Sequence, residues 1–556
     1  MPRVQYKRDP YRFNAGSLGH LEGLTVSFRS NSSRNTPLLR YFGGVPYALP
    51  PIGPYRFRRP RPLPDYYRYG TKANPGRFTR STGICPQPSW QGMNGEEVWD
   101  EDCLQLNIYI PCGSPPSTQG WPVFFYIHGG FLQWGDPNMS PESVAPLLSE
   151  TAFHAIIVQP AYRLNAFGFL ASKELQAEAE RVGVAGAGNM GFWDQRLALE
   201  WTAANISHFG GDAHNITVGG YSAGSHSAFQ QLAHELYFVP DEKAVIRRVI
   251  MWSNSPGVQP KSLAEHQLQF EEYLTALSIP LSLSAEEKLK RLRDLPLKQL
   301  IDAQANMHLH QFRATTDNAF ISKALMANIN SGDFARRMKK RGIRLMNGEC
   351  RDEHSLYRIW RTPTQATFEG VYSRLCADYP EYAVKKLMEY YCGADHALPA
   401  GMEDWVDAFG KLYANMQVHC LERGFQNALV NGGLEPGKDL LRYRFEWRAQ
   451  CVTLPLDWGV THSSDMAIWF WGEGKGEGIT EQEKLILESW NGAFAAFVRG
   501  DEVNWPTSQA TEVMRLREDG KTDVWTDAQW GEGVKLWKLL NDEAGTGMLG
   551  WLRSKL

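Results

Sequence analysis

The chain has 556 residues, 43% of them apolar, with 58 Lys and Arg against 61 Asp and Glu and a formal net charge of −3. That balance describes an ordinary globular protein and does not favour nucleic-acid binding, and no run of 18 apolar residues offers a membrane span. Eight cysteines are too sparse for a disulfide scaffold.

The first residues, Met1–Pro10, are polar and charged where a secretion signal needs an apolar stretch, so secretion is not expected. Apolar, β-rich runs then follow at Leu24–Phe28, Leu39–Phe42, Leu106–Ile110, Val123–Ile127 and Ala155–Gln159. Helical spacing over Phe192–Asn205 leads to a strand at Ile216–Gly219, a helix over Ser225–Leu232 and a strand at Val249–Trp252. Residues 260–335 read mainly helical, including Ala264–Leu277 and Ala285–Asp294. Arg336–Arg344, the one dense basic stretch, reads as a solvated helix end running into the strand Ile343–Met346. A second helical block, 362–435, includes Tyr382–Tyr391 and Ala408–Asn427, and Leu440–Phe445 is the last strand expected. Meander-like strands followed by alternating β and α predict a mixed, mainly parallel sheet covered by helices on both faces. The two helical blocks separate sheet strands, so they are expected to form a cap over one edge. The final tripeptide, Ser554-Lys555-Leu556, matches a peroxisomal address. The expected localisation is peroxisomal, with the import receptor as partner and the cytoplasm as the alternative.

The chemistry centres on Gly220-Tyr221-Ser222-Ala223-Gly224, which joins a short β-branched run to a helix. A serine at the apex of such a turn is lifted clear of the sheet at a helix N-terminus, where the dipole favours negative charge. To act as a nucleophile it needs a base, and the base needs a carboxylate to fix its tautomer. In this kind of sheet these follow in the order serine, acid, histidine. Asp352 and Glu353 lie just past one strand, and His462, with Asp465 three residues on, lies in the loop after another. His226, four residues beyond the serine, is the rival base, though packing or a helix surface explains it better.

Several longer motifs resemble the type-B carboxylesterase/cholinesterase family of α/β-hydrolases. They are Tyr41–Gly53 with Arg56-Phe57, Glu101–Tyr109, Gly188–Arg196, Phe209–Asp212 and the serine turn, in the family's order and spacing. The resemblance implies an α/β-hydrolase fold and a single domain spanning 1–556. It further implies Ser222 as nucleophile, Glu353 rather than Asp352 as acid, and His462 as base. A glycine usually follows the acid, whereas His354 stands here. The oxyanion hole would use the backbone N–H groups of Gly130, Phe131 and Ala223. Phe131 occupies the place of the family's third glycine, where a positive φ would cost it more. Cys85 and Cys103 correspond to a family disulfide, and Trp90 and Trp99 could line the entrance. Tyr221 stands where true cholinesterases carry a glutamate, so choline esters are not expected.

These readings predict a serine carboxylic-ester hydrolase for a medium-sized apolar ester, such as a lipid-like or specialised metabolite, needing neither metal nor organic cofactor. A thioesterase or acyltransferase on the same triad is the alternative. A non-catalytic binding protein is disfavoured because the triad candidates are intact.

Overall fold

The computed structural model describes residues 6–28, 36–89, 94–472 and 478–542. Trp90 and the terminal Ser554, Lys555 and Leu556 lie outside these ranges. Among the described residues, one sheet gathers thirteen strands. Twelve are labelled in chain order: β1 Tyr6–Asn14, β2 His20–Phe28, β3 Thr36–Pro46, β4 Gln105–Pro111, β5 Trp121–Ile127 and β6 Ile156–Pro160, then β7 Gly211–Tyr221, β8 Ile246–Trp252, β9 Arg344–Cys350, β10 Leu440–Phe445, β11 Glu512–Leu516 and β12 Thr522–Thr526. Their spatial order is β1-β2-β3-β4-β6-β5-β7-β8-β9-β10-β11-β12, and the short strand Gly76–Arg77 pairs with β2. The succession β1-β2-β3-β4-β6 is antiparallel. From β6 through β11 every neighbouring pair is parallel, and β12 returns antiparallel.

The centre of the sheet is stable because its strands bury both faces. All seven residues of β5 are buried. Val123, Phe125 and Ile127 enter one core while Phe124 and Tyr126 enter the other, as the two-residue period of a strand requires. Each fully buried side chain of this size contributes about 1.5–3 kcal/mol. The first core is shared with helices Met190–Asn205 and Ala223–Phe238, the second with helix Glu481–Arg499. That last helix opens with a capping box between Thr480 and Glu483 and stops at Gly500, whose φ is 86°. In the second core Trp252, fully buried, stacks on Trp469 at 5.2 Å and meets Phe494 edge-on at 5.5 Å. This aromatic pad lies directly under the carboxyl end of β8.

The helical blocks take the expected positions between strands. The first holds Leu263–Ala276, Ala285–Asp294, Leu297–Gln304 and Leu325–Asn330 and is pinned by a short parallel pairing of Lys261–Ser262 with Thr315–Thr316. The second holds Phe368–Asp378, Glu381–Cys392, Trp405–Gln417 and His419–Asn431. The single helix expected over Ala408–Asn427 is therefore two, broken at Val418 with φ −126° and ψ −79°. Past the break, Arg423 reaches Glu349 of β9 at 2.9 Å and Asp527 at 2.8 Å, all three nearly fully buried. A buried carboxylate needs such a partner. The basic stretch is the end of helix Asp333–Arg341, closed by Gly342 at φ 64° before β9. No helix among the described residues is long and apolar enough to cross a membrane.

Candidate active site

Ser222 lies between β7 and the helix Ala223–Phe238, with φ 57° and ψ −124°. An L-residue held there stores about 1–3 kcal/mol and stays only where its surroundings fix it. Here the Ser222 N–H donates to the Trp252 carbonyl at 2.9 Å, and the His226 N–H donates to the Ser222 carbonyl at 3.0 Å. The flanking glycines follow from sterics. A Cβ on Gly220 would sit 2.3 Å from the Gly224 carbonyl carbon, and one on Gly224 would sit 2.0 Å from the Ile127 oxygen. Strand and helix cross too closely at these two points for any side chain.

The other two residues arrive from neighbouring carboxyl ends of the sheet, where ligand-contacting groups of such sheets collect. Glu353 follows β9 and precedes the short helix His354–Tyr357, and His462 stands in the loop after β10. His462 Nε2 lies 2.8 Å from Ser222 Oγ, and its Nδ1 hydrogen-bonds Glu353 Oε2. The remaining Glu353 oxygen accepts the Cys350 N–H at 2.8 Å. Glu353 is 0% and His462 1% exposed, so these bonds act in a medium that screens them poorly. With Nδ1–H given to the carboxylate, Nε2 is left to accept from the serine hydroxyl. The imidazole is held between two aromatic rings, Tyr221 at 4.8 Å and Tyr357 at 4.7 Å between centroids. The Tyr357 hydroxyl lies 3.3 and 3.4 Å from its two nitrogens.

Asp352 turns away from the histidine. Its carboxylate accepts the Val460 N–H at 2.9 Å and pairs with Arg351 at 2.9 Å, so it braces the loop that carries His462. His354 is the first residue of its helix, a conformation that makes no demand for the glycine usual at that place. The loop after β5 passes against the serine: a Cβ on Gly129 would lie 3.1 Å from the Ser222 Cβ. Gly130 has φ 105° and Phe131 φ 57°. Ala223 opens its helix, so its N–H has no partner four residues back.

The residue range 14–529 matches the carboxylesterase family. The chain belongs to the carboxylesterase family. It is thus a carboxylic ester hydrolase, and two fungal proteins align with nearly its whole length. A carboxylic ester hydrolase of Gibberella moniliformis is 56% identical over 96% of this chain and 97% of its own. An uncharacterised esterase/lipase of Schizosaccharomyces pombe is 37% identical over 95% and 96%. The similarity to acetylcholinesterase of Gallus gallus, 33% identical, covers 43% of this chain and 29% of that protein.

The carboxylesterase motifs outside the turn are scaffolding with identifiable bonds. Arg56 pairs with Glu101 at 2.7 Å, joining the first motif to the second. Arg163 pairs with Asp194 at 2.8 Å, both buried, and fixes helix Met190–Asn205 to the segment after β6. Cys85 and Cys103 are disulfide-bonded, with Cα atoms 5.4 Å apart. Trp99 donates to the Asn94 carbonyl at 2.9 Å and so braces its own loop. Asp465 is fully buried; its carboxylate accepts from Trp469 Nε1 at 3.0 Å and the Tyr443 hydroxyl at 3.2 Å. Burial, with Glu353 nearby, raises its pKa to about 6. His226 has no part in the serine–histidine contact. It lines a cavity beside Ala223, where burial lowers the imidazole pKa to about 4.

Four side chains around the carboxylesterase site escaped sequence reasoning: Tyr357, Trp360, Arg313 and Asp378. Tyr357 was within reach, because it follows Glu353 by four positions, one helical turn, and so shares its face. Trp360 lies three residues farther along the same stretch, whereas Arg313 and Asp378 come from separate segments and carry no local signal.

Proposed function

We propose that this carboxylesterase cleaves esters through an acyl-enzyme on Ser222. Ser222 Oγ attacks the ester carbonyl carbon while His462 Nε2 takes its proton. Glu353 holds the imidazole in that tautomer and stabilises the imidazolium. The carbonyl π-pair moves onto oxygen, facing the N–H groups of Gly130, Phe131 and Ala223. The tetrahedral species collapses as the alcohol departs with the proton from His462. Water, deprotonated by the same nitrogen, then frees the acid and restores the serine. The contact of 2.8 Å between Nε2 and Oγ, with Glu353 on the far nitrogen, carries this reading.

The substrate we infer is a medium-sized, apolar ester with one short limb. Phe131, Trp360, Tyr357 and Tyr221 offer an aromatic wall around the serine. The cavity beside Ala223, lined by Leu132, Val258 and Met416 together with the polar Asn254, Arg313 and Asp378, holds about 70 Å³. That is roughly half of a cavity that admits benzene, suited to an acyl group of a few carbons. The test is a chain-length series of p-nitrophenyl esters with stopped-flow detection and a fluorophosphonate probe. A burst equal to the enzyme concentration, probe attachment at Ser222 and a fall in kcat/KM beyond about four acyl carbons are expected. A linear time course with Ser222 unlabelled would overturn the acyl-enzyme, and flat chain-length dependence the short limb.

Asp465 makes a prediction of its own. Above pH 6 its charge adds to that of Glu353 around the imidazolium; below, the carboxyl is neutral and equivalent to an amide. Asp465→Asn is therefore expected to lower kcat about fivefold to tenfold at pH 8 and hardly at all at pH 5. A ratio of parent to variant rates that does not rise with pH contradicts that role.

A further inference from the structure

The turn that would face the oxyanion adopts a backbone its own side chains disfavour. The Gly130 carbonyl accepts the Gln133 N–H at 2.8 Å and the Trp134 N–H at 3.0 Å. Between them, Phe131 has φ 57° and Leu132 φ 64°. Two central residues at positive φ are the pattern of a type I′ turn, a place ordinarily taken by Gly, Asn or Asp. Bulky residues there are strained and persist only under external constraint.

The constraint comes from the two helical excursions. Arg313 Nη1 donates to the Phe131 carbonyl at 2.6 Å. Gln133 Nε2 donates to the same carbonyl at 3.3 Å and to Phe312 O at 2.6 Å, while Phe312 N–H returns a bond of 3.2 Å to Gln133. The Phe131 ring lies on Trp360, 4.0 Å away and 9° from parallel. Arg313 is in turn fixed by Asp378, 2.6 Å from its Nε, and by the Tyr413 hydroxyl at 2.8 Å. Arg374 supplies the opposite pairing to Asp378. One guanidinium thus joins 260–335, 362–435 and the turn.

We infer that Arg313 is a positioning residue for the oxyanion hole, holding the Phe131 carbonyl so that the strained turn keeps its N–H groups in place. This rests on the proposed role of Gly130, Phe131 and Ala223. Without the bond, φ of Phe131 relaxes toward negative values, and that rotation carries the 130–131 peptide, with the Phe131 N–H, out of line. Lysine is no substitute, because one ammonium cannot reproduce the planar fork that serves Asp378, Tyr413 and the carbonyl together.

The experiment is a double-mutant cycle on the full chain. Arg313→Gln is measured alone and in a Phe131→Gly background, since glycine holds a positive φ unaided. Burst rate, kcat, KM and thermal midpoint are read for each. Arg313→Gln is expected to lower kcat about 10- to 100-fold with KM within about threefold, less than outright loss of a hole donor. In the Phe131→Gly background the same change should cost under about threefold. Arg313→Lys, read in the same pair of backgrounds, serves if the glutamine variant does not fold. A cost of less than about twofold from Arg313→Gln in the parent, or an equal cost in both backgrounds, overturns the inference. Failure of the acyl-enzyme reading looks different: the parent itself would give no burst.

Discussion

Replacing Ser222 by alanine is expected to lower kcat for a short p-nitrophenyl ester by about 10⁵- to 10⁶-fold, the scale seen when such a nucleophile is removed. Stability should stay within about 1 kcal/mol of the parent. The reason lies in the turn. The N–H bond to Trp252 and the carbonyl bond from His226 are main-chain bonds and survive the substitution. Alanine keeps the Cβ and its strain, so only the Oγ contact with His462 is lost. Rates against enzyme concentration, with thermal melting of both proteins, decide the matter. Turnover above about 1% of the parent, at an unchanged melting point, would remove Ser222 from the mechanism.

The second large effect is expected at Glu353. Glutamine there fills the same space, but its amide can donate to Nδ1 and so move the imidazole proton to Nε2, where it opposes the serine. Such a tautomer reversal lowers kcat about 10⁴-fold in a comparable triad. Asp352→Asn is the control. It weakens the bond to Val460 and the pair with Arg351, both remote from the reacting atoms, and should cost kcat less than about fivefold, in line with an outer brace. If the asparagine variant proves the more damaged of the two, the carboxylate assignment must be exchanged.

The sheet was legible wherever strands are buried on both faces. β10 agrees at both ends and β5 was recognised from a nearly continuous apolar run, whereas β9 extends four residues past the expected Ile343–Met346, through the polar Asn347-Gly-Glu to Cys350. β1, β11 and β12 were not recognised: β1 and β12 are the two edge strands, and β11, next to the edge, is a five-residue strand with Glu512 and Arg515 in it. Lys7, Arg8 and Asp9 follow one another in β1, and its residues are at most partly buried, so no apolar periodicity is written there. A strand end, a turn and a chain order singled out Ser222, the Asp352–Glu353 pair and His462, while the preference for Glu353 within that pair came from the family resemblance alone. The constraint on the turn was not legible: Arg313 and Trp360 meet Phe131 only through tertiary packing, Asp378 acts through Arg313, and each sits in a sequence neighbourhood suited to a helix or loop. The irregularity at Phe131 was visible as an unusual residue, but its remedy lay 182 positions downstream at Arg313 and farther still at Trp360. Val418 teaches the same lesson. The helix breaks there and the next one carries Arg423 to the buried carboxylate of Glu349 on β9, and no local propensity announces it.

The tie between roof and catalytic turn restricts how molecules can enter and leave. A canopy that swung open as one piece would pull the guanidinium of Arg313 off the backbone it steadies and disarm the centre with every cycle. An entry route that leaves the bond from Arg313 to the Phe131 carbonyl intact is the one compatible with that positioning role. Engineering for larger esters should accordingly leave this keystone alone.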